Sequence, residues 1–89
     1  MSGSEQRRRA AAVRYDGMGA PSLVAKGRGH VADAILEAAR TSGIPIREDA
    51  VLAQALGSLE IGTEIPPELY EAVARSLVWA YRLTGRQPA

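Results

Sequence analysis

The stretch Ile65–Leu83, IPPELYEAVARSLVWAYRL, decides how the rest of the chain must be arranged. Pro66 and Pro67 suit the first turn of a helix, where a missing N–H is not needed and φ is already near the helical value. Glu68 and Glu71 stand toward the positive end of that helix, Arg75 and Arg82 toward the negative end. Gly85 follows where a left-handed C′ residue is expected. Leu69 or Tyr70, Val73, Leu77 and Ala80 or Tyr81 recur at steps of three and four, which marks one apolar face. The stretch also carries the single tryptophan, Trp79, and two of the three tyrosines, Tyr70 and Tyr81. A helix with such a face needs something to cover.

The upstream chain offers it. Residues 1–9, MSGSEQRRR, lack apolar periodicity and read as a disordered basic tail. Ala10–Tyr15 reads as a strand because Asp16-Gly17-Met18-Gly19 behind it is turn chemistry. Ser22–Lys26 reads as its antiparallel partner, with Pro21 at a position where a lost N–H is tolerable. After Gly27-Arg28-Gly29, residues His30–Ser42 read as a helix with Val31, Ala34, Ile35, Ala38 and Ala39 on its apolar face and Gly43 as its C′ residue. Ile44-Pro45-Ile46 reads as a short third strand, parallel to the second by a right-handed crossover. Asp49 suits the N-cap of a short helix over Ala50–Leu56. Leu59, Ile61 and Ile65 are then expected to tuck inward. The order is ββαβαα, a small mixed β-sheet of about three strands with helices packed against it. The fold class is α/β, in one domain over residues 10–84 with a short tail at 85–89.

Composition narrows the function. With 89 residues the chain allows one domain and a thin stability margin. The absence of cysteine excludes a disulfide framework and thiolate metal sites. No apolar run approaches the roughly 18 residues that span a bilayer, so a soluble cytoplasmic protein is expected. The net charge of +1 conceals a segregation: residues 1–30 hold six basic and two acidic side chains, residues 31–74 two and eight, and residues 75–89 three and none. That is not the basic stripe of a nucleic-acid module, so no nucleic-acid partner is expected. Arg7, Arg8 and Arg9 would suit an anionic lipid surface or an acidic partner, but a solvated tail is the simpler reading.

Few residues suggest chemistry. Gly27-x-Gly29-x-x-Ala32 follows a strand and opens a helix, with Glu48 and Asp49 about 20 residues on, in the context of a dinucleotide fingerprint. A full dinucleotide fold needs two such halves, however, and this chain has one. A small nucleotide- or phosphate-binding domain is therefore the alternative reading. His30 has no second ligand or nucleophile beside it in sequence. Ser22, Ser58 and Ser76 lack a nucleophile-elbow pattern. The acidic residues fall on solvated helix faces, and Trp79 and Tyr81 suit core or rim packing. No catalytic residue, metal site or cofactor is indicated.

A run of short motifs is more specific. Val13-Arg14-Tyr15-Asp16, Gly19-Ala20-Pro21 and Val24-Ala25-Lys26-Gly27 resemble the cytoplasmic domain of the FlhB/YscU-type export switch proteins of flagellar and type III secretion systems. So do Gly43-Ile44-Pro45-Ile46, Leu52-Ala53-x-x-Leu56 and Ile61-Gly62-x-Glu64-Ile65-Pro66-x-Glu68-Leu69-Tyr70-x-Ala72-Val73-Ala74. The resemblance runs from Ala10 to Leu83. It implies a bacterial protein-transport module that docks export substrates or apparatus components, not an enzyme of small molecules. The family's shallow hydrophobic patch maps onto Ala20, Pro21, Ala74 and Leu77; packing of Ala74 and Leu77 under the sheet is the competing reading.

Two departures qualify the resemblance. Family members follow four transmembrane helices, and this sequence shows none, which implies a free-standing domain, at most peripheral to the inner-membrane export apparatus. The family's Asn-Pro-Thr-His, where an Asn side chain cuts its own backbone, falls on Glu5, Gln6, Arg7 and Arg8. The chain contains no asparagine at all, so self-cleavage is not expected. The turn from Asp16 to Ala20 is also shorter than is usual in the family. Together these features imply a stand-in for the post-cleavage fragment, with strand Ala10–Tyr15 open to a partner protein or to a second copy.

Overall fold

The computed structural model describes residues 8–85. Strand β1 (Arg9–Arg14) pairs antiparallel with β2 (Ser22–Arg28) across the glycine-rich bend that the sequence marks. The register runs from Arg9 opposite Arg28 to Ala12 opposite Ala25, then jumps to Val13 opposite Leu23, leaving Val24 with no opposite number. This bulge matters for the core. Without the extra residue, Val24 would face the same side as Val13 and Leu23 would turn away. With it, Leu23 joins Val13 and is fully buried, while Val24 is 43% exposed.

Helix α1 (His30–Thr41) contacts both strands, and so does α2 (Ala50–Gly57). They take opposite faces of the hairpin. Gly27 approaches Val31 of α1, whereas Ala11 and Val13 pack with Leu52 and Leu56 of α2, and the register alternates between the two groups. The buried side of α1 is Ala32, Ile35, Leu36 and Ala39, an i, i+3, i+4, i+7 set. Val31, at 57% exposure, and Ala34 and Ala38 were expected on that side and instead face solvent. Gly43 closes α1, its N–H donating to the Arg40 carbonyl.

The expected third strand, Ile44–Ile46, does not form, and the sheet has two strands among the described residues. The parallel crossover goes with it, while the small α/β architecture stands. The cause is local: the Ile44 N–H donates back to the Ala39 carbonyl of α1, and Pro45 has no N–H. The free edge of β2 is taken by residues 62–65 instead. Leu23 N–H donates to Thr63 O (3.0 Å), Gly62 N–H to Leu23 O (2.7 Å) and Ile65 N–H to Pro21 O (2.8 Å), with an isolated bridge between Ser22 and Glu64. Ile65 is thereby buried to 1% exposure. Leu59 is half-buried, but Ile61, expected inside, is 58% exposed.

The long helix starts later than its apolar spacing suggests. Pro67–Leu69 forms a single 3-10 turn, and α3 runs from Tyr70 to Thr84. Pro66 precedes a proline and is held extended (ψ 156°), which keeps Ile65 out of the helix. Gly85 ends α3 at φ 71°, its N–H donating to Tyr81 O; only a glycine takes that conformation without cost. Val73 points inward and completes a cluster with Leu23, Leu52, Leu56 and Ile65, against which Ala11, Val13, Leu59, Leu69, Ala72 and Leu77 pack. Asp49 caps α2 as expected, accepting from the Leu52 N–H at 3.0 Å. Lys26 ties the far end of α2 to β2 by donating to the Gly57 and Leu59 carbonyls (3.0 and 2.6 Å).

The expected tail over 1–9 lies outside the described residues as far as position 7. Arg8 and Arg9 belong to the fold. The Arg8 carbonyl accepts from Gly29 N–H, its guanidinium meets Asp33 at 3.0 Å, and Arg9 opens β1.

A methyl group added at Gly27 would overlap Val31 Cγ1 and lie 2.7 Å from Val31 Cβ. Gly27→Ala should therefore destabilise the domain by about 1–3 kcal/mol. Adding Val31→Ala, at an exposed site, should restore only part of that loss in urea unfolding, because the Cβ of residue 31 stays in close contact. Equal stability of the single variant and the wild type would contradict the packing described.

Candidate functional site

The residues expected to form a patch fall on two elements. Ala20 and Pro21 are half-buried and lead into β2; Ala74 and Leu77 sit one turn apart on α3. Ala74 is exposed, while Leu77 is half-buried and packs against the central cluster. Ile65 links the two halves: its N–H holds the Pro21 carbonyl, and its side chain belongs to the cluster that Leu77 covers. Leu77 is thus part core and part surface, and Ala74 is surface only.

Around Ala74 the outer side of α3 forms a shallow groove lined by Glu71, Ala74, Arg75, Val78, Trp79 and Arg82. Val78 is 46% exposed and Trp79 half-buried. Arg75 is tied to Glu71 one turn back. The sequence places Trp79 in packing and Arg82 only as a complement to the helix dipole, and gives Val78 no role, because a period count finds the face that meets the core and not the one that meets solvent. Asp33 with Arg8 and Glu37 with Arg40 form further exposed ion pairs, in keeping with solvated acidic faces.

Tyr81 continues the face of Ala74 and Leu77, since positions 74, 77 and 81 recur at helical spacing. Its hydroxyl is closed to solvent and has no hydrogen-bond partner among the described residues. Burial, and secondarily the nearby Tyr15 phenol, raise its pKa above the ordinary tyrosine value. The ring therefore remains a neutral phenol.

The glycines of the fingerprint-like segment serve the fold. Gly27 lies within β2 against Val31. Gly29 adopts φ 56°, a conformation that suits glycine, and its N–H is already given to Arg8 O. Asp33 adds negative charge to the first turn of α1. A phosphate would meet an engaged amide and a carboxylate there. His30 is the exposed first residue of α1, and among the described residues no group of three or more His, Asp or Glu side chains is placed to hold a metal ion. Glu5, Gln6 and Arg7 lie outside the described residues.

Residues 7–80 match the model of the FlhB HrpN YscU SpaS family. The chain belongs to that family. It is 41% identical over 78 residues to the uncharacterized protein YlqH of Bacillus subtilis, an alignment covering 85% of this chain and 84% of YlqH. It is 45% identical over 75 residues to the flagellar biosynthetic protein FlhB of Escherichia coli, covering 81% of this chain but 20% of FlhB. The chain thus matches YlqH nearly end to end and FlhB over a fifth of its length. Among solved structures, a mutated EscU/SpaS C-terminal domain superposes with a TM-score of 0.77 at 26% identity, covering 83% of this chain and 95% of that one. The PscU C-terminal domain gives 0.75 at 28% identity, covering 80% and 94%. The fold is that of the EscU and PscU C-terminal domains, and among the described residues no helix is long and apolar enough to cross a membrane.

Tyr81→Phe removes an unsatisfied buried hydroxyl and should leave stability at neutral pH unchanged or slightly higher. A raised native pKa means the wild type keeps its stability below the ordinary tyrosine value and loses some as pH climbs beyond about 10. The variant should lack that part of the loss. Urea midpoints at pH 7 and in alkali measure both effects; a clear drop in stability at pH 7 would reveal a hydrogen bond to this hydroxyl.

Proposed function

We propose that this chain is a non-enzymatic protein-docking domain of the flagellar or type III export apparatus. It takes export substrates or apparatus components on the nonpolar patch of Ala20, Pro21, Ala74 and Leu77, and it does not cut itself. The observation that carries this reading is the family match over residues 7–80, joined to a central cluster that reaches the surface at Leu77 beside exposed Ala74. Alanines at 20 and 74 leave a dent that a partner's side chain fills, and Pro21 and Leu77 add apolar wall with little rotamer freedom to lose. The outer edge of β1, without a strand partner among the described residues, is a second place for an extended segment of a partner or of another copy. Absence of self-cleavage follows from chemistry: no asparagine exists in the chain to attack its own backbone. The site of action is the cytoplasmic side of the inner membrane, at the export apparatus.

The test grafts this chain in place of the matched 75-residue segment of Escherichia coli FlhB. Joined after FlhB's own Asn-Pro-Thr-His so that its cleavage is kept, the graft should support swimming and filament export. Ala74→Asp and Leu77→Asp should each reduce export about tenfold or more, the effect of losing roughly 1.4 kcal/mol of contact, with circular dichroism confirming that the variants fold. Full export by both folded variants would rule out the patch.

A further inference from the structure

The outer groove of α3 differs in chemistry from the nonpolar patch it adjoins. Ala74, Val78 and Trp79 give it apolar surface, and two basic side chains, Arg75 and Arg82, line it two turns apart along α3. Arg75 is balanced by Glu71. Arg82 has neither an ion pair nor a hydrogen bond among the described residues. It lies in the one part of the chain that has no acid to offer: residues 75–89 hold three arginines and no carboxylate side chain. Tryptophan and arginine side by side, with apolar area between, are the residue types that concentrate binding energy at protein interfaces.

We propose that this groove docks an acidic, apolar-anchored segment of a partner protein, with an aliphatic side chain over Ala74 against Val78 and Trp79 and a carboxylate on Arg82. The proposal rests on the docking reading above and adds the chemistry of the partner. Charge complementarity selects this occupant. A second copy laid antiparallel along α3 would offer Arg82 only Glu71, a carboxylate already engaged by Arg75. A lipid surface would find one unbalanced arginine on the described face, a weak hold, since each basic residue near an anionic membrane adds only a small increment.

Trp79 supplies the readout, being the only tryptophan in the chain. The full chain is titrated with the capped hexapeptide acetyl-Asp-Leu-Ala-Asp-Leu-Ala-amide and with its Asn-for-Asp counterpart, following tryptophan fluorescence. The acidic peptide should bind about two- to fivefold more tightly, the range of an exposed ion pair. That advantage should vanish near 1 M NaCl, where charges are screened beyond about 3 Å, and in Arg82→Gln. Ala74→Asp should abolish binding of both peptides. Equal affinities, an undiminished preference in Arg82→Gln, or no binding of either peptide overturns the proposal. So does binding of phosphatidylglycerol vesicles in preference to the acidic peptide, or self-association that alone accounts for the Trp79 signal. Leu77 lies outside the groove, so loss of export in Leu77→Asp alongside failed peptide binding removes this inference and leaves the docking reading in place.

Discussion

The structure depends on how Leu23 is held. Its side chain is fully buried against Ile65 and Val73, while its own N–H and carbonyl are both taken by the segment 62–65. A two-stranded hairpin alone is marginal in water. Here the second strand gains a lateral partner that brings Ile65 into the core and delivers the chain to the start of α3. Burying a side chain of this size contributes about 1.5–3 kcal/mol, a large part of what an 89-residue domain has to spare. The bulge at Val24 is what makes the arrangement possible, since it sets the inward direction of Leu23.

That dependence explains which parts of the fold were legible in the sequence. Local signals were dependable: Asp49 as a cap, Gly43 and Gly85 as helix ends, and the hairpin around Asp16–Gly19 all follow from interactions within a few residues. Nonlocal pairing was not. Ile44-Pro45-Ile46 has the composition of a strand, yet its first amide is consumed by the end of α1. Residues 62–65, with Gly62 and Thr63, have little strand character and nonetheless take the edge. The bulge was invisible as well, because nothing in SLVAK distinguishes a strand that keeps its alternation from one that breaks it. On α1, the sequence offered two overlapping apolar faces, and the contact with Gly27 does not bury Val31 but leaves it at the rim.

The site divides in the same way. Ala20, Pro21, Ala74 and Leu77 are proposed as a patch only on the strength of family motifs, since small apolar residues carry no chemical signature of their own. What the structure adds is a physical link between the two pairs. Pro21 and Leu77 both adjoin Ile65, one through its backbone and the other through the cluster around its side chain. A disturbance of the patch is therefore felt by the core, and a substitution at Leu77 is expected to combine surface and packing effects. Ala74, exposed and without packing duty, is the cleaner probe of recognition.

The same geometry bears on what kind of recognition the domain supports. Its core is thin, with five buried side chains forming the central cluster, so it cannot reorganise deeply on binding without unfolding. The docking proposed above would then use surfaces already in place: the rim beside Leu77, the outer side of α3 and the edge of β1. These surfaces differ chemically, being apolar and shallow, apolar with an unbalanced arginine, and backbone polar groups respectively. A partner that engages two of them gains specificity no single one provides, because each contact is weak and the second is made at high effective concentration once the first has formed. For the docking role proposed above, distributed weak contacts are better suited than one deep pocket. Release then requires only that one contact be lost.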